Sequence, residues 1–156
     1  MAIAKKIIKY LEDNKIKYEV VEHRKVFTAL DSACTQRLKP NLVVKTLVMK
    51  IDKGYGLALL PAGKNLDKAK FKKATKAKSV DFAKEPWMKK NVMGKVGATP
   101  AFGKLLKLPV YMDAALYKNK ELILNTGEYT QSFIVKTNQF VKLEEPRKAV
   151  FSKAKK

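Results

Sequence analysis

Apolar residues recur at helical spacing at the start of the chain. Ile3, Ile7, Ile8 and Leu11 share one face, and Asn14 supplies a stop, which predicts a first helix of about ten residues. Residues 18–23, YEVVEH, read as a short strand. Thr28 and Asp31 stand three apart like a capping box with Asp in the place of Glu, so a second helix is expected over 29–38. Apolar runs at 41–52 and 55–63 are joined by Asp52-Lys53-Gly54-Tyr55, a hairpin signal. A lysine-rich helix is expected over 65–77, capped by Asn65 or Asp67, with a thin apolar face of Leu66, Ala69 and Phe71. A short strand falls within 77–83. A helix over 85–93 follows, with Pro86 in its first turn and Gly94 ending it. Strands are expected at 108–113, 121–125 and 132–137, with a turn near 118–120. Strands in runs, interrupted by short helices, predict an α+β fold: one domain with a mixed sheet and helices packed on it. The body is placed at 1–145, and 146–156 reads as a basic, loose tail.

Composition sharpens the picture. A chain of 156 residues, 46% of them hydrophobic, has the size and apolar content of one ordinary domain. No apolar run reaches the roughly 18 to 20 residues that span a membrane, and the first residues lack the pattern of a signal peptide. Cys34 is the single cysteine, so no internal disulfide forms. A cytoplasmic protein without membrane attachment is expected. The net charge of +20 points to a polyanion, with nucleic acid the default partner, although an excess of lysine spread along the chain also fits codon bias. Of the 34 basic residues only Arg24, Arg37 and Arg147 are arginines, which favours backbone contact over reading of base edges.

Much chemistry is missing. One histidine and one cysteine cannot furnish a zinc site, and no phosphate-binding glycine motif or nucleophile elbow is present. No cofactor and no metal are expected. Lys45 breaks the local pattern most sharply, because Val43, Leu47, Met49 and Ile51 share its face while Leu42, Val44, Thr46 and Val48 line the other. Its amine either reaches water along its stem or is held in a site that uses it. His23 ends a strand and serves either as a hydrogen-bonding loop residue or as part of a site. Asp113 ends another strand, where it caps a turn or orients an amine. Asn125-Thr126-Gly127 is a turn signal. Cys34 reads as a small buried residue.

Taken in order, His23 and Thr28-Ala29, VVKTLVMK around Lys45, LLPAGKNLD, VGATPAFGKLLKLPVYMD and LILNTG resemble the YbaK/EbsC/ProX family. That family includes the free-standing relatives of the editing domain of bacterial prolyl-tRNA synthetases. The likeness spans about residues 3–143. It implies a mixed, curved sheet flanked by short helices and an aminoacyl-tRNA deacylase, a hydrolase that clears a wrongly attached amino acid from tRNA without a metal. Lys45 falls on the family's functional lysine, and Gly97 to Gly103 on its glycine loop, usually G-x-x-x-P-F-G. Here Ala101 holds the place of that proline, and Pro100 precedes it. Tyr129 stands where some relatives carry histidine. The resemblance implies catalytic parts for Lys45, Gly97 and Ala98. It implies substrate binding or support for His23, Thr28, Thr99, Pro100, Ala101, Asp113, Asn125 and Gly127. Mischarged tRNA is the expected partner, with prolyl-tRNA synthetase a possible dock, and alanine or cysteine on the tRNA for proline the expected substrate class. The alternative is a tRNA- or ribosome-binding module of the same fold without turnover.

Overall fold

The structure, a computed structural model, describes residues 2–22, 42–91, 99, 101–125 and 131–154. Helix α1 (Ala2–Asp13) buries Ile7 and Leu11 completely, as their spacing requires. Strand β1 (Tyr18–Glu22) follows. Strands β2 (Val44–Ile51) and β3 (Gly54–Pro61) form the predicted hairpin, with Ile51 opposite Gly54 and a two-residue turn at Asp52-Lys53. Asp52 takes a positive φ of 54°, which a short polar side chain tolerates, and its Oδ1 accepts the N–H groups of Lys78 and Ser79.

After β3 the chain turns at once into β4 (Lys64–Leu66), so the lysine-rich helix α2 (Lys68–Thr75) starts later than its pattern suggests. Asp67 is its cap, accepting from the N–H of Lys70 at 3.1 Å. Strand β5 (Val80–Phe82), helix α3 (Glu85–Asn91), strand β6 (Val110–Asp113), strand β7 (Glu121–Asn125) and strand β8 (Gln131–Lys136) stand near their expected places. Helix α4 (Gly103–Leu106), the 3-10 helix Ala114–Lys118 and helix α5 (Thr137–Glu144) were not foreseen. The helix expected over 29–38 lies outside the described residues.

One sheet has the order β5-β2-β3-β6 with the strand Arg147–Ala149 beyond β6, and a second has the order β1-β8-β7. The first is mixed, because β3 and β6 run parallel while its other described pairs through β2 are antiparallel. A parallel bridge from Val43 to Ile123, with the Ile123 N–H donating to the Leu42 carbonyl at 3.0 Å, joins the two sheets. Both faces of β2 and β3 are covered. Val44, Val48, Leu57 and Leu59 enter a large core shared with α1, α5 and the second sheet. Met49, Ala58 and Leu60 enter another with Phe71 and Phe151.

The loose tail is a correction. Residues Arg147–Ala149 form β9 against β6, and Ser152–Ala154 form β10 against β4. Phe151 between them is fully buried, with its ring edge-to-face on Phe71 at 5.1 Å. Burial of such a side chain is worth about 1.5 to 3 kcal/mol, and together with the two strand pairings it fixes a segment whose lysines alone would leave it in water.

Candidate active site

Lys45 is the second residue of β2, opposite Leu60. Its stem is half-buried and its Nζ donates to the carbonyl oxygen of Lys64 at 2.9 Å. The amine is therefore held over the turn between β3 and β4, which belongs to LLPAGKNLD. That turn is itself tied to β2, because the N–H of Ala62 donates to the Val43 carbonyl at 2.9 Å. Val43, Ala62 and Ile123 close into one buried apolar cluster with Leu42 and Ile134 at its margin. Three of the segments that carry the family likeness thus meet at one junction. Lys45 lies two residues beyond the bridge on one strand and Asn125 two residues beyond it on the other, with the strands running in the same direction.

Asn125, half-buried, closes β7 opposite Ser132. Asp113 does internal work. Its Oδ1 accepts the N–H groups of Phe151 at 2.9 Å and Ser152 at 3.0 Å. Its Oδ2 accepts the Ala115 N–H at 3.0 Å and the Ser152 hydroxyl at 2.9 Å. Of its two readings, the capping one describes these contacts, since the carboxylate caps the 3-10 helix and staples the terminal segment. Thr99 and Ala101 are buried, Ala101 within the main core. His23, Thr28, Gly97, Ala98, Pro100 and Gly127 lie outside the described residues.

Beyond Ala101 the chain is tightly fixed. Phe102 is fully buried, edge-to-face with Tyr10 at 6.0 Å and with Phe140 at 5.9 Å. At Gly103 an added Cβ would stand 2.1 Å from Val110 Cγ2 and 2.5 Å from the Leu108 carbonyl, so only glycine fits. Glu144, which the sequence reading passed over, accepts the Tyr10 hydroxyl through Oε2 and the Lys104 N–H through Oε1 at 3.1 Å. Burial raises the pKa of this carboxyl, and the bonds from Tyr10 and the Lys104 backbone partly oppose the rise. Tyr10 is raised too, first by burial and then by its bond to Glu144. A signal existed: Thr137, Phe140 and Glu144 stand at helical spacing on one stripe, so an acid occupies an inward position. Among the described residues no group of three or more His, Cys, Asp or Glu is placed to hold a metal.

Comparison with known proteins agrees with this architecture. A solved structure of a candidate trans-editing enzyme for prolyl-tRNA synthetase superposes with a TM-score of 0.84 at 23% identity, covering 99% of each chain. A hypothetical protein superposes at 0.87 with 16% identity over 95% of this chain and 99% of its own. A scaffold from computational epitope grafting gives 0.85 with 21% identity over 99% of both. At such identities the likeness speaks for the α+β fold. The model of the aminoacyl-tRNA editing domain, however, matches the sequence itself over residues 23–143. That match spans well over half of the chain and takes in each segment that meets at the Val43 junction, and the protein belongs to the aminoacyl-tRNA editing domain family.

Proposed function

We propose that the protein hydrolyses the ester of mischarged tRNA in trans, with a small amino acid such as alanine or cysteine on the tRNA for proline as its substrate. The observation that carries this reading is the junction at the start of β2, where Lys45, the LLPAGK turn and the end of β7 come together inside the segment matched by the editing family. Lys45 is a cation beside that junction whose Nζ donates to the Lys64 carbonyl, and in this reading it turns to a terminal phosphate or to the ester carbonyl of a substrate. An aminoacyl ester is already activated, so positioning and stabilisation of the developing oxyanion suffice. Water adds to the carbonyl carbon, the bond to the ribose oxygen breaks, and that oxygen takes a proton. In this reading the backbone N–H groups of Gly97 and Ala98 face the oxyanion, and the neighbouring ribose hydroxyl assists the water. Thr99 and Asn125 border the substrate, while Ala101 and Asp113 support the frame. The amino-acid preference rests on the fit of a small pocket, where one methyl group is worth only about 1 to 3 kcal/mol.

The test is a panel of tRNAs, each charged with a radiolabelled amino acid. Wild type is expected to release small amino acids selectively, and Lys45→Ala to lose about a hundredfold or more in rate, the scale of one lost oxyanion contact. Binding of tRNA without release by wild type would replace the deacylase with a non-catalytic binding module. Undiminished release by Lys45→Ala would remove the lysine from the mechanism.

A further inference from the structure

We infer that Glu144 is a positioning residue, a buried latch that fixes Phe102-Gly103-Lys104, where the glycine segment joins α4; this rests on the deacylase reading for its catalytic consequence. Three segments far apart in sequence meet on this one carboxyl: Tyr10 from α1, Lys104 from the first turn of α4, and Glu144 from the last turn of α5. Glu144 is only 4% exposed, and an acid is removed from water in that way only where its contacts offset the loss. What it grips is the point where the glycine loop rejoins regular structure. Lys104 follows directly on Gly103, where Val110 and the Leu108 carbonyl occupy the space a side chain would need.

The same two helices hold the residue before the glycine. The Phe102 ring stands edge-to-face between Tyr10 of α1 and Phe140 of α5, so the polar bonds and the aromatic contacts repeat one arrangement. The exit of the loop is thus fixed by ring packing on one side and by hydrogen bonds on the other. Tyr10 and Glu144 both fall outside residues 23–143, the span matched by the editing family. Amide donors aimed at an oxyanion lose their advantage when displaced by about an ångström, which makes the fixing of the loop's end matter to catalysis.

Two variants test the latch. Glu144→Gln keeps an acceptor for the Lys104 N–H and a polar partner for the Tyr10 hydroxyl, whereas Glu144→Leu fills the space and leaves both donors unbonded. Kinetics on a mischarged tRNA, at a temperature where circular dichroism shows both variants folded, should give Glu144→Leu a kcat at least tenfold lower with little change in KM. Glu144→Gln should stay within about threefold of wild type. Amide hydrogen exchange supplies a readout free of activity: exchange at Lys104, and at Leu106 and Leu108, whose N–H groups donate to the Phe102 and Gly103 carbonyls, should quicken at least tenfold in Glu144→Leu and stay near wild type in Glu144→Gln. Wild-type kcat in folded Glu144→Leu, or unchanged exchange at Leu106 and Leu108, would reduce Glu144 to a purely structural acid and overturn the inference. Absence of any deacylation by wild type would instead sink the deacylase reading, and the exchange experiment would still judge the latch.

Discussion

A carboxyl group withdrawn from water holds its proton more tightly, and Glu144 is such a group, with Tyr10 of α1 and Lys104 of α4 facing it and its neighbour Glu145 turned outward to pair with the Lys104 ammonium at 3.2 Å. Its pKa in the folded state lies above that in the unfolded chain, so between the two values the native state binds more protons. Stability from this residue is then greatest below the unfolded pKa and declines as pH rises through the folded one. Urea unfolding of wild type and Glu144→Gln at pH values from about 4 to 7 should show the difference between them shifting against wild type as the pH rises. A pH-independent difference would mean that the folded carboxyl titrates normally. At this scale the sequence was half legible. Lys45 stood out because a cation interrupts two apolar faces, and both faces of β2 are indeed covered. Glu144 did not, since an acid in KLEE reads as surface until the Thr137 and Phe140 positions are seen to point inward. Asp113 sat at a strand end, where sequence offered two roles, and only the arrival of Phe151 and Ser152 reveals which donors it meets.

Among the elements, those with a strong repeat were readable and those completed by partners were not. Helix α1 and the β2–β3 hairpin follow from spacing and turn chemistry alone. Strands β9 and β10 are three residues each and rich in lysine, so nothing local announces them, and they exist because β6 and β4 have edges to pair and Asp113 has acceptors to fill. Asp113→Ala tests this dependence. It leaves the Phe151 and Ser152 N–H groups and the Ser152 hydroxyl without their acceptor, at about 1 to 3 kcal/mol for each buried donor so stranded. A loss of about 3 kcal/mol or more in urea unfolding is expected, together with proteolytic cleavage near Phe151. A variant as stable and as resistant as wild type would show that the terminal segment holds its place without the carboxylate.

For the molecule as a whole, charge dominates. With 34 basic and 14 acidic residues the acids cannot match the bases one for one, and pairs such as Asp81 with Lys68 and Glu85 with Lys89 lie at the surface. Such exposed pairs contribute little to stability, so the excess charge matters for association. If four or five phosphates are neutralised, affinity for tRNA should fall by about two to three orders of magnitude between 50 and 200 mM salt, with a linear plot of log K against log salt. A flat plot, measured by filter binding, would detach the charge from tRNA recognition. The α+β class was legible from the succession of strands and short helices. The joining of the two sheets was not, because among the described residues the backbone bridge between them links positions 43 and 123, far apart in the sequence.

The pairing of β1 with β8 carries a kinetic consequence. Tyr18 lies opposite Val135 and Glu22 opposite Gln131, so the strand near one end of the chain finds its partner only after more than a hundred residues have collapsed between them. Closing so long a loop costs entropy before any contact repays it, which slows folding. Until that moment one flank of β8 offers its backbone groups to any passing strand, including the same strand of another copy, and a crowded refolding mixture should lose material to aggregates at this step.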